Sequence, residues 1–189
     1  DATTIGTRST AHQTILVKSG TYAGANTLSA PNITLIIQSG ATISSTIIAS
    51  GAHSSIRVGA GAKIQGLITL SGNGRSLTCE NGAALSGVLL SGDSCYVNGG
   101  GRATVSNGGT TVEGIEVTGS FGTAVFMAAK TTGGGGSGLS AIRDIGTHTT
   151  FQGVMVLDGD DFGWDLSGNF TNLIDCRSLD SDSHGFVVL

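Results

Sequence analysis

Short apolar runs with strict alternation recur along the chain: Ile33, Leu35 and Ile37, then Ile56 and Val58, then Leu77 and Cys79, then Cys95 and Val97. Period-two alternation over so few residues predicts half-buried β-strands, not helices. Each run is followed by a Gly-Ala-x-Ile/Leu phrase, at Gly40-Ala41-Thr42-Ile43, Gly61-Ala62-Lys63-Ile64 and Gly82-Ala83-Ala84-Leu85, and more loosely at Arg102-Ala103-Thr104-Val105. A third run comes next, Ile47 to Gly51, Ile68 with Leu70 to Gly72, and Val88 with Leu90 to Gly92. All three advance together with a period of about 21 residues, too short for a two-helix repeat. The pattern predicts an all-β fold, a parallel β-solenoid with three short strands per rung, in which equivalent residues stack at about 4.8 Å.

From about Gly108 the rungs lengthen. Ile142-Arg143-Asp144-Ile145 and Gly153-Val154-Met155-Val156-Leu157 match Leu173-Ile174-Asp175-Cys176 and Gly185-Phe186-Val187-Val188-Leu189, which predicts rungs of roughly 31 residues there. Thr131 to Gly138 reads as an enlarged, exposed corner, because strand-like runs continue on both sides. The whole stretch 1–189 is read as one elongated domain. An opening at Asp1 without Met and a last run Gly185 to Leu189 without a polar terminator suggest a piece of a longer chain.

Composition sharpens this picture. Of 189 residues 32 are Gly and one is Pro, and charged residues make up 12%. Glycine fits sharp corners, where positive φ is needed, and proline would delete a ladder hydrogen bond. Ser39-Gly40, Ser50-Gly51, Ser71-Gly72, Asn81-Gly82 and Ser91-Gly92 all fall at run boundaries. The 39% of hydrophobic residues can fill a core, which excludes disorder. The net charge of -4 and nine scattered basic residues argue against nucleic acid. The longest apolar run, Ala124 to Ala129, is far too short to span a membrane as a helix. Cys79, Cys95 and Cys176 sit in strand-like runs and read as small core residues, with a Cys79 to Cys95 disulfide left open.

The stretch Ile15-Leu16-Val17-Lys18-Ser19-Gly20-Thr21-Tyr22, then Pro31-Asn32-Ile33-Thr34-Leu35, then Ser39-Gly40-Ala41-Thr42-Ile43, resembles the opening rungs of right-handed parallel β-helices of the pectate-lyase-like superfamily. Lys18-Ser19 stands where that group usually has proline. The later rungs look most like bacteriophage tailspikes and depolymerases. That resemblance implies a homotrimer on a virion tail that recognises and cleaves bacterial surface polysaccharide. The alternatives are a non-catalytic glycan-binding or shaft segment, and a secreted pectate-lyase or polygalacturonase-like enzyme. The fold alone does not decide among them.

Carboxylates crowd the end of the chain. Asp158, Asp160, Asp161, Asp165, Asp175, Asp180 and Asp182 lie there with His184 and Trp164, whereas the early rungs hold little beyond Glu80 and Asp93. Asp160 and Asp161 precede the alternating Phe162, Trp164 and Leu166, and His184 follows about one rung later. The arrangement resembles the Asp-Asp and Gly-His-Gly motifs of polygalacturonase-type glycosidases, with Ser183 in place of the first glycine. The resemblance implies that Asp160 or Asp161 protonates the leaving oxygen, the other activates water, and His184 orients the acid. An inverting pair stands roughly 6.5–9.5 Å apart. Asp158, Trp164 and Asp182 are the candidate substrate contacts, although Trp164, flanked by Phe162 and Leu166, also fits a core position. Solvated Asp residues at rung corners remain the plainer reading of the acidic stretch. Asp158, Asp160 and Asp161 could also offer oxygens to calcium, but no companion arginine or glycine-rich loop accompanies them, and neither metal nor cofactor is expected. His12, His53 and His148 read as isolated surface residues.

Overall fold

A computed structural model describes residues 7–8, 11–107, 114–131, 140–158, 162–179 and 184–188. These residues form strands, turns and bends without a helix, and every strand pairing is parallel. The chain winds into a parallel β-solenoid of about seven turns.

Three walls make up each rung. Wall 1 stacks Thr14–Val17, Thr34–Ile37, Ser55–Val58, Ser76–Cys79 and the first residues of Tyr96–Asn107 and Thr123–Thr131, then Thr150–Gln152 and Asn172–Ile174. Wall 2 begins with Gly20–Tyr22 on Ala41–Ile43 and ends with Met155–Asp158 on Arg177–Ser178. Wall 3 runs from Thr7–Arg8 on Asn26–Leu28 to Ser140–Asp144, Phe162–Leu166 and His184–Val188.

The register confirms the short repeat residue by residue. Leu35, Ile56, Leu77 and Val97 stack in one inward column, and Ile43, Ile64 and Leu85 in another, with Val105 in register on Leu85, so the looser Arg102 phrase is a true member of the series. Ile47, Ile68, Val88 and Ile115 form the third. Leu35, Ile43, Ile47, Ile68 and Leu77 are fully buried, each contributing about 1.5–3 kcal/mol through lost water contact. Cys79 and Cys95 occupy core positions as free thiols.

The long rungs differ from the expected register. Ile142 pairs with Trp164, not Leu173, and Met155 pairs with Arg177, while Phe186 lies on Trp164. The two look-alike strings therefore sit on different walls. Successive rungs instead span 27 residues between Ser120 and Thr147 and about 22 between Phe162 and His184. The extra residues fall between Asn107 and Ile115 and between Thr131 and Ser140, at the crossing from wall 2 to wall 3. Most of the Thr131 to Gly138 stretch lies outside the described residues.

Glycine has two separate causes here. Gly40, Gly61 and Gly82 do have positive φ, at the corner from wall 1 to wall 2. Gly51, Gly72 and Gly92 do not; at Gly92 an added Cβ would lie 1.8 Å from the carbonyl oxygen of Gly72 one rung earlier. At Gly51 and Gly92 the preceding rung's backbone leaves no room for a side chain, and at Gly72 the buried Arg75 guanidinium fills the space instead.

The corner from wall 3 to wall 1 repeats one conformation on every rung. His12, Asn32, His53, Gly74, Ser94, Phe121, His148 and Phe170 all have φ between 55 and 68. From His12 to His148, each donates its N–H to the carbonyl just before its counterpart on the following rung, as in His53 to Asn73 and Phe121 to Thr147. Asn and His tolerate this left-handed region, whereas a bulky Phe in it is an outlier.

Candidate functional site

Of the residues singled out by sequence, Asp160, Asp161 and Asp182 lie outside the described residues. Asp160 and Asp161 fall between the strands Met155–Asp158 and Phe162–Leu166, and Asp182 between Arg177–Ser178 and His184–Val188. Both stretches join wall 2 to wall 3. Asp158 closes its wall 2 strand opposite Lys130, and His184 opens its wall 3 strand directly opposite Phe162, the residue after Asp161.

Trp164 is in the core. It is fully buried, meets Phe151 edge to face with centroids 5.4 Å apart, stacks on Phe186 at 5.4 Å, and donates its indole N–H to the Arg177 carbonyl at 3.4 Å. A sugar ring has no access to either of its faces, so the burial of Trp164 replaces the substrate-contact reading with the core one.

Wall 3 carries a charge ladder on its outer face between the two corners. Glu116, Arg143 and Asp165 are in register on consecutive rungs. Arg143 reaches Glu116 at 3.6 Å and Asp165 at 3.5 Å. Glu116 alternates with buried Ile115 and Val117, as the sequence pattern requires.

At the far end of wall 3 stands a feature the sequence reading missed. The rings of Phe121, His148 and Phe170 stack on one another outside the tube, with centroids 5.1 and 4.8 Å apart. His12, His53 and His148 are indeed exposed, but they are not isolated: all three belong to the left-handed corner column. Phe121 is 58% exposed although Val117 and Ala124, in the strands on either side of it, are fully buried. The signal was present in Gly119-Ser120-Phe121, Gly146-Thr147-His148 and Gly168-Asn169-Phe170, a repeated Gly-polar-aromatic phrase.

A buried carboxyl group braces this corner from inside. Asp144 is fully buried in a column whose neighbours are Val117 and Leu166. It accepts hydrogen bonds from Gly146 N–H at 3.0 Å, Thr149 Oγ1 at 3.0 Å and Thr171 Oγ1 at 2.5 Å. Thr149 and Thr171 directly follow His148 and Phe170, so one side chain ties its own rung's corner to that of the next rung. Arg75 plays a similar part earlier, donating from within the core to the carbonyls of Asn73, at 2.9 Å, and Ser50.

The remaining surface offers less. An open depression of about 540 Å³, lined by Ile36, Gln38, Arg57 and Glu80 among others, lies on the early rungs, where Glu80 is engaged by Ala60 N–H. Burial pushes the Cys79 thiol up to about 12, which removes it as a nucleophile. Among the described residues no group of His, Cys, Asp and Glu is arranged to hold a metal ion. No family model matches the chain, and neither a curated protein nor a solved structure matches it.

Proposed function

We propose that this β-solenoid recognises bacterial surface polysaccharide in the manner of a tailspike, and that it cleaves the polymer with Asp160, Asp161 and His184. The observation that supports this reading is the pairing of Phe162 with His184, which brings the residue after Asp161 and the imidazole-bearing residue onto neighbouring rungs of one wall. One carboxylic acid protonates the glycosidic oxygen as the bond to the anomeric carbon breaks. The other carboxylate takes a proton from the attacking water, and His184 fixes the acid's orientation. Asp158 and Asp182 serve as contacts to sugar hydroxyls. Homotrimeric assembly and a place on a virion tail belong to the same proposal.

The test is reducing-end release from soluble capsular and O-chain polysaccharides. Asp160→Asn, Asp161→Asn and His184→Ala should each lower cleavage by at least 100-fold while the melting temperature stays within a few degrees. Full activity in all three variants overturns the catalytic assignment. Retained binding without any cleavage by the unmodified chain supports instead the non-catalytic reading, which the hydroxyl column Thr14, Thr34, Ser55 and Ser76 on the early rungs favours.

A further inference from the structure

Folding does not account for the aromatic corner. A left-handed backbone costs a residue other than glycine about 1–2 kcal/mol, and the same corner is made at other rungs by Asn32, Gly74 and Ser94. Phe121 takes that cost while leaving more than half of its surface in water, at a corner that Asn32, Gly74 and Ser94 make elsewhere without presenting a ring to solvent. Strain held at an exposed position, in a ring stacked on the Asp144-braced His148 corner, points to a site that acts on something outside the chain.

The surroundings define what that partner is. One face of Phe121 is backed by His148, and Phe170 lies behind it. On the other side the column continues to Ser94, too small to cover a ring. Asp93, beside Ser94, is exposed and accepts the Ser120 N–H through Oδ1 at 2.9 Å, leaving Oδ2 as an acceptor. Tyr96, 38% exposed, opens the neighbouring wall 1 strand, where it pairs with Thr123. An open aromatic face beside a carboxylate oxygen and small hydroxyls suits a ring that is apolar on one face and hydroxylated at its edge. A protein-binding core would be ringed by further apolar groups, and phosphate would call for lysine or arginine, which these columns do not carry among the described residues.

We propose that the corner formed by Phe121, Asp93, Ser94 and Tyr96 is a sugar-binding platform, separate from the acidic crossing and resting on the reading of the chain as a polysaccharide binder. The face of one saccharide unit packs on Phe121, and a pair of its hydroxyls donates to Asp93. The platform lies at the corner from wall 3 to wall 1, whereas the acidic crossing joins wall 2 to the other end of wall 3. A polymer lying across wall 3 would meet both, with the Glu116, Arg143 and Asp165 ladder between them.

The test is affinity electrophoresis of the full chain in gels containing soluble bacterial capsular and O-chain polysaccharides. Phe121→Asn is the main variant, because Asn32 already occupies the equivalent corner and the fold should be kept; Asp93→Asn and Phe121→Trp accompany it. Retardation of the unmodified chain by one of these polymers, at least ten-fold weaker in Phe121→Asn and Asp93→Asn and kept in Phe121→Trp, supports the platform. Equal retardation of all variants overturns it while leaving polysaccharide binding intact. No retardation of the unmodified chain by any polymer overturns both. A drop in sedimentation coefficient for Phe121→Asn would assign the corner to contact between copies of the chain, and that also overturns the platform.

Discussion

Replacing Asp144 by leucine tests how the outer corner is held. The position lies in a column of Leu90, Val117 and Leu166, so Asp144→Leu extends an apolar series and gains about 1.5–3 kcal/mol of burial. Against this, three donors lose their acceptor: Gly146 N–H, and the hydroxyls of Thr149 and Thr171, of which Thr149 is fully buried. A stranded buried donor costs about 1–3 kcal/mol, so the losses outweigh the gain, and a net destabilisation of about 2–4 kcal/mol is expected. Thr149→Val and Thr171→Val should each cost about 1 kcal/mol in the unmodified chain, yet together they should recover about 2 kcal/mol in the Asp144→Leu background. Urea unfolding followed by far-ultraviolet circular dichroism reads both quantities, provided the slope is unchanged between variants. An Asp144→Leu chain within 0.5 kcal/mol of the parent, or threonine substitutions that add instead of compensating, would refute the idea that this carboxyl group braces the corner.

Other expectations follow from features elsewhere in the tube. Gly92→Ala should destabilise by about 3 kcal/mol, because its Cβ meets a backbone oxygen that cannot move aside, whereas Gly61→Ala, with open space but φ of +69, should cost about 1 kcal/mol; equal losses in urea melts would contradict the two-cause account of the glycines. Burial holds the Cys79 thiol protonated to about pH 12, whereas the unfolded thiol ionises near the ordinary value of 9.0. The unfolded state therefore binds fewer protons than the folded one between these pH values, and stability should be intact below pH 9 and fall above it by up to about 1.4 kcal/mol per pH unit. The alkaline slope should be shallower in Cys79→Val. Arg143→Ala, at a half-exposed ladder, should cost no more than about 1 kcal/mol, and the cost should shrink in 1 M salt; a larger loss that persists in salt would mean that packing, not charge, sets the value of this side chain.

The early rungs were legible because their geometry leaves few choices. A three-walled tube with a short lap forces inward residues to alternate, so Leu35, Ile56, Leu77 and Val97 announce their column by spacing alone. Alternation does not say which wall a strand belongs to, and this is why Ile142-Arg143-Asp144 was matched to Leu173-Ile174-Asp175 when one lies on wall 3 and the other adjoins wall 1. Buried Asp144 was hidden for the same reason, since a polar letter in an alternating string reads as outward. Phe121 was hidden by the opposite error: an apolar letter reads as inward, yet its left-handed backbone turns it out of the tube. Asp160, Asp161 and His184 stand out by motif alone, and strand register bears only on the rung separation between Phe162 and His184.

Growth of the chain is confined to one seam. The two enlarged rungs take up their extra residues between Asn107 and Ile115 and between Thr131 and Ser140, while Val97, Ala124 and Phe151 remain stacked on the opposite side. The seam thus works as a socket: foreign peptide spliced into it need not disturb the stack, and two grafts on successive turns would emerge side by side at the spacing of adjacent strands.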